Sequence, residues 1–244
     1  MKQYKIKLII LGASSCLFSL KKIKKHKSSF FKIVEIDHKV NLPEPDHYSY
    51  SLSQKYLDKQ LIDIIGIDED ILRIGIINCY LQDDFYLRRI SHKTAVLSIN
   101  TPLDILSESN ISVENFIIKN IYEIVIMYII SNFKLDSEKA DSLRHQDTRK
   151  CLFDLNGSIS TIKYNTEHPI LCSTCRDKIS NANLPSVDFT KRLEKELSKI
   201  KKSKTITIEL VIKKYPLLSI LITIILGIII NIISNIIFSG VITK

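Results

Sequence analysis

Cys172-Ser173-Thr174-Cys175 forms a C-x-x-C knuckle, with Cys151 upstream and His145 before that, in the pattern H-x5-C-x20-C-x2-C. A tight turn brings the two thiolates of such a knuckle about 3.5–4 Å apart, so both can reach one ion. A second pair from a separate turn then completes a tetrahedral Cys3His site. A closed set of this kind leaves no position for water, so its metal supports structure rather than reaction. The soft donor set selects zinc, and binding adds directly to folding energy. The metal ligands expected are therefore His145, Cys151, Cys172 and Cys175, with His168 as the competitor for the histidine position. The alternative is a buried core thiol at Cys151 beside a fortuitous or redox-active knuckle. Cys16 and Cys79 lie in or beside apolar stretches and are expected to be core residues.

The surrounding chain has the periodicities of a layered α/β (α+β) domain. Residues 4–11 and 30–36 read as strands, with a helix over 14–27 between them. Two prolines, Pro43 and Pro45, make 41–46 a loop. Leu52, Tyr56, Leu57, Leu61, Ile64 and Ile65 recur at helical spacing, and 71–80 and 95–99 read as buried strands. The stretch 113–133 predicts a long, mostly apolar central helix. Residues 83–89 read as a loop and strand edge, and 136–149 are polar without a clear period. The domain so defined covers 1–182, followed by a charged helical connector over 183–214.

The 217–239 stretch contains no charged residue and is rich in Ile and Leu. About 20 such residues let a helix cross the hydrocarbon core, so 215–240 is expected to be a single-pass transmembrane helix opened by Pro216. Asn231, Ser234 and Asn235 fall on one face of it, where polar residues favour helix association and a homo-oligomer. The 244-residue chain carries a net charge of +9, and one lysine- and arginine-rich cluster leads into the tail. Residues 191–214 are thus expected to meet anionic lipid headgroups, at roughly 1 kcal/mol for each lysine near the surface. The same bias puts the N-terminal domain on the cytoplasmic side. There the five cysteines would stay reduced, which favours metal over disulfides. The N-terminal lysines carry no aromatic interleaving or nucleic-acid motif, so they read as a solvated face rather than a nucleic-acid surface. The first residues alternate as a strand does and make no signal peptide.

Taken in order, these elements resemble the archaemetzincin-like zinc metallopeptidases over about 4–179. The resemblance rests on the loop Leu42-Pro43-Glu44-Pro45, the helix entered near Tyr50, the strand Ile74-Gly75-Ile76-Ile77-Asn78-Cys79-Tyr80-Leu81, and the segment from Cys151 to Cys175. It implies a catalytic zinc held by H-E-x-x-H on the long helix. Here that helix reads Tyr122-Glu123-Ile124-Val125-Ile126, so tyrosine and isoleucine stand where the histidines would be. Neither can replace an imidazole, and a catalytic zinc needs about three protein ligands. The resemblance is therefore to a degenerate member. Tyr122 and Glu123 would be a relic or a pocket, and Glu123 would need a partner among Tyr122, Arg88, Arg89 and Lys119.

The function expected is a membrane-anchored, zinc-stabilised, non-catalytic module for binding or sensing. Two alternatives stand beside it. One is a membrane-bound hydrolase with an unconventional site around Glu123, His145, Asp147 and Arg149. The other is a membrane effector that acts by oligomerisation of its tail helix.

Overall fold

The computed structural model describes residues 3–45, 47–48, 54–182, 188–200, 212 and 215–242. The chain divides into two compact units, Met1–Lys201 and Lys202–Lys244.

Strands β1 (Tyr4–Leu11), β2 (Phe31–Lys39), β5 (Leu72–Ile77), β7 (Leu87–Ser91) and β8 (Thr94–Ser98) form a five-stranded sheet in the order β2-β1-β5-β8-β7. All neighbours are parallel except β7, which returns antiparallel along β8. A parallel sheet is covered on both faces, which is why its strands read as nearly continuous apolar runs. Ile6, Leu8 and Ile10 of β1 face one core cluster, and Ile9 and Leu11 face the other. Helix α2 (Asp58–Ile65) covers the second face through Leu61 and Ile65. It comes so near that a Cβ on Gly75 would lie 2.6 Å from Ile65 Cδ1. A small second sheet is built from β3 (His47–Tyr48), β4 (Gln54–Tyr56) and β6 (Tyr80–Leu81).

The first face belongs to α4 (Val113–Ile130), the expected central helix, in which every residue is buried. A helix this apolar must be covered on every side. The sheet, α1 (Leu20–Lys25), α3 (Asn100–Glu108), α5 (Glu138–Asp141) and α6 (Ile162–Glu167) all pack against α4. It stops at Ser131 because Asn132 and Phe133 turn left-handed, with Phe133 N–H donating to the Tyr128 carbonyl at 2.8 Å.

Several expectations need adjustment. The helix expected over 14–27 is a 3-10 turn at Gly12–Cys16 followed by α1, because the Ser19 amide between them is drawn to the Glu114 carboxylate at 2.8 Å. The strand expected over 71–80 ends at Ile77, and Tyr80 and Leu81 pair with β4 instead. The segment 83–89 supplies the loop, and then the antiparallel strand β7. Helix α8 (Phe189–Leu197) falls within the expected connector, yet Phe189, Leu193, Leu197 and the following Ile200 are buried in the main core. Elsewhere in that connector 183–187, 201–211 and 213–214 lie outside the described residues.

The second unit contains α9 (Pro216–Ile242), where the tail helix was expected. Its described isoleucines and leucines are exposed. Among the described residues no helix is long and apolar enough to cross a membrane. The expected transmembrane helix is therefore narrowed to an exposed apolar helix.

Two buried polar groups organise the covering of α4. Lys119 and Glu123, only 1% and 3% exposed, pair with each other at 2.7 Å one turn apart. Of the four partners expected for Glu123, this is the one found. Arg88 instead pairs with Asp58 and Asp83, and Arg89 with Asp141. The second group is Glu196 of α8. It accepts hydrogen bonds from Tyr122 Oη at 2.8 Å, Ser28 Oγ at 2.7 Å and the Ser29 amide at 2.8 Å. Burial pushes the Glu196 carboxyl up, but the bonds from Ser29, Ser28 and Tyr122 outweigh it and hold the pKa below its ordinary value. A carboxyl whose folded pKa is depressed stabilises the fold above its unfolded pKa, and that stability is lost as pH falls through the folded value. Glu196→Gln should therefore lower stability at neutral pH by about 1–3 kcal/mol. It should also flatten the loss of stability below about pH 4. Denaturant melts of both chains across pH 3–7 check this; parallel acid limbs would contradict it.

Candidate metal centre

The knuckle is assembled from three separate pieces of chain. His145 follows the short helix α5 and bridges to Asp154 as two short parallel segments, with Leu155 N–H donating to the His145 carbonyl at 3.0 Å. Cys151 is bridged in the same way to Ile170, and Leu152 N–H reaches the Ile170 carbonyl at 2.8 Å. Lys150, at φ 60°, turns the chain into that bridge. Cys172 is the N-cap of α7 (Ser173–Ser180), and Cys175 lies in its first turn. Both cysteines of the C-x-x-C thus sit at a helix N-terminus, where the backbone partial charge favours thiolates.

The four donor atoms converge. One ligand atom each from His145, Cys151, Cys172 and Cys175 lies within 4.8 Å of every other. The His145 Nε2–Cys172 Sγ distance is 3.6 Å. The donor–donor edge of a tetrahedral zinc site with three sulfurs is about 3.5–4 Å, so closure onto an ion asks for shifts of about 1 Å. Cys151 and Cys175 are buried, while His145 and Cys172 are half-buried. His168 is not part of the group, so the histidine position left open between His145 and His168 falls to His145.

Asp154 supports the cluster from behind and was not anticipated. It is fully buried. Its Oδ2 accepts the amides of Arg149 and Cys151, both at 3.0 Å, which shapes the turn that presents Cys151. Its Oδ1 lies 3.1 Å from His145 Nδ1. The Nδ1 hydrogen bond itself runs to the Asp147 carbonyl at 3.1 Å, so Asp154 Oδ1 lies close to the ring but has no hydrogen bond of its own. In the tautomer with Nδ1 as donor to these oxygens, the Nε2 lone pair would face the thiols. That is the arrangement by which carboxylates and carbonyls orient metal-binding histidines. No spacing rule marks it in the sequence.

The thiols show the electrostatic strain of a site made for a cation. A hydrogen bond from Cys175 holds the Cys151 pKa down to about 4, and the same bond drives the Cys175 pKa far up. Burial, with the neighbouring Cys151 thiolate, raises Asp154 to about 6. Without a metal, the Cys175 thiol stays protonated and donates to the Cys151 thiolate. A divalent ion would replace it and stabilise all the thiolates. The donor set and the buried, half-satisfied carboxylate behind His145 fit zinc in a closed Cys3His site, where the ion would supply cross-linking and no open coordination position.

The other expected site residues do not gather here. Tyr122 bonds Glu196 and also His26 Nε2, at 2.8 Å. Glu123 is spent on Lys119. Asp147 and Arg149 are exposed and pair with each other at 2.6 Å. On α9, Asn235 Nδ2 donates to Asn231 Oδ1 at 3.0 Å, and Ser234 is exposed on the same helix.

Among solved structures, the archaemetzincin of Methanopyrus kandleri is similar over 81% of this chain and 97% of its own, at 18% sequence identity and a TM-score of 0.46. No protein-family model and no curated protein matches the chain.

His145→Ala should lose most of the bound zinc and lower the thermal midpoint, whereas His168→Ala should retain zinc. Asp154→Asn should keep the ligands but weaken zinc affinity about 10–100-fold. Elemental analysis and competition with a chromogenic chelator measure both effects. Loss of zinc in His168→Ala with retention in His145→Ala would reverse the ligand assignment.

Proposed function

We infer that this chain is a zinc-clamped, non-catalytic binding or sensing module held at a membrane by its C-terminal helix, with the folded unit on the cytoplasmic face. The observation that carries the non-catalytic part is the closure of the donor set. Four protein ligands converge, and their imidazole is committed through Asp147 and Asp154. Nothing is left for a water nucleophile, which a catalytic zinc requires. The central helix offers no second metal position, because Tyr122 and Ile126 are fully buried and Glu123 is ion-paired. The hydrolase reading needs Glu123, His145, Asp147 and Arg149 to act on one substrate, and their partners draw them to separate contacts.

The membrane part is supported by the helix Pro216–Ile242 and by the uncharged run within it. An exposed helix of isoleucine and leucine is unfavourable in water, at about 25 cal/mol for each Å2 of apolar surface. A bilayer removes that penalty, and lysines in 191–214 would add headgroup attraction. Self-association through Asn231, Ser234 and Asn235 is not required, since the two asparagine amides already bond each other.

The test combines location with activity. The full chain should stay in the membrane pellet after alkaline carbonate extraction, and a chain ending at Ser203 should be released. Peptide cleavage should be absent from the zinc-loaded full chain and unchanged by Glu123→Gln. Release of the full chain would overturn the anchor. Zinc-dependent cleavage abolished by Glu123→Gln would overturn the non-catalytic reading.

A further inference from the structure

A groove of about 590 Å3 lies along the start of β2, between that strand and the segment that joins it to α1. Lys24, His26 and Lys27 line it from the α1 side, and Lys32, Val34 and Glu35 from the strand. Its charge is unbalanced. Glu35 is the one acid in the lining, and it is already paired with Lys7 of β1 at 2.6 Å. Among the described residues, Lys24, Lys27 and Lys32 enter no ion pair, and all three are exposed. The floor is fixed. The His26 ring stacks on Phe31 with centroids 6.4 Å apart, and its Nε2 is tied to Tyr122 Oη. Gln3 bonds the Ser28 carbonyl and holds the rim to β1.

We propose that this groove is a binding site for a multivalent phosphoryl anion. Three ammonium groups without partners around one concavity are point-charge donors of the kind that phosphate oxygens satisfy. The volume falls within the range of small-molecule sites and exceeds what a lone phosphate fills. Val34, 43% exposed on the rim, gives the non-phosphoryl part of the ligand an apolar surface. An acidic peptide added as a further strand fits less well, although β2 is the outer strand of the sheet. The register of β2 slips at Val34, which has no partner on β1, and this outer strand carries Lys32 and Lys39. Bulges and lysines are the devices that stop edge strands from pairing. The site needs neither the zinc nor the membrane anchor, so its failure and theirs are separable.

The experiment uses the full chain in neutral detergent micelles. Inositol trisphosphate and inorganic pyrophosphate are titrated calorimetrically into the wild type, the triple variant Lys24→Ala/Lys27→Ala/Lys32→Ala, and the control Lys21→Ala/Lys25→Ala. The control removes exposed lysines of the same helix that do not line the groove. Thermal melts establish that each variant is folded. The triple variant should weaken binding at least tenfold, and the control by less than about twofold. Affinity should also fall with salt, as expected for lysine-borne binding. Tighter binding of inositol trisphosphate than of pyrophosphate, with capture of phosphoinositide-doped vesicles in the same lysine-dependent way, assigns the source to a lipid headgroup. The reverse order assigns it to a free phosphoanion. Equal weakening in the control and triple variants, no binding of either probe, or binding only of a poly-glutamate peptide would overturn the proposal.

Discussion

Helix α4 is mostly apolar and buried around its whole circumference, and such a helix is stable only where every side of it is covered. The five-stranded sheet covers one side. The remaining sides are closed by short pieces: α1, α3, α5, α6, α8 and the loop residues between them. Pieces this short have little stability alone, since isolated helices below about 12–15 residues are marginal in water. The fold therefore depends on how these covering segments are tied down.

Two ties are visible. Glu196 fastens α8 to α4 and to the start of β2, through Tyr122, Ser28 and Ser29. The Cys3His cluster fastens the segment from Leu143 to Ile179, whose Leu152, Phe153, Ile162 and Leu171 belong to the same core as α4. A metal there would join three pieces of chain that are otherwise linked by a handful of backbone bridges. Its folding contribution would be transmitted to the central helix through those packed residues. The buried Lys119–Glu123 pair is a different case. Breaking it by removing one partner is costly, but the intact pair adds little net stability.

Much of this was legible in the sequence. The apolar runs of β1, β5 and β8 and the helix at α4 could be read because their burial is continuous, which leaves a pattern in residue type. The clustering of His145, Cys151, Cys172 and Cys175 could be read because C-x-x-C is a local geometric statement. The antiparallel return of β7 could not, since its Leu87-Arg88-Arg89-Ile90 core mixes charge with apolar residues and its pairing is set by the turn at His92 and Lys93. Asp154 was missed because a carboxylate that orients a ligand has no spacing rule of its own. The packing of α8 onto the core was hidden by its charged face: Phe189, Leu193 and Leu197 are a narrow stripe among lysines and glutamates. The Tyr122 and Glu123 positions carried a functional expectation from resemblance. Their burial and bonding to Glu196 and Lys119 turn them into structural contacts.

The most direct measurement is X-ray absorption at the zinc edge on the purified full chain, with the metal-to-chain ratio measured on the same sample. The account predicts one zinc per chain with three sulfur neighbours at about 2.3 Å and one nitrogen at about 2.0–2.1 Å, and no oxygen. A spectrum with an oxygen neighbour, or with fewer than three sulfurs, would contradict a closed clamp and indicate an ion open to solvent.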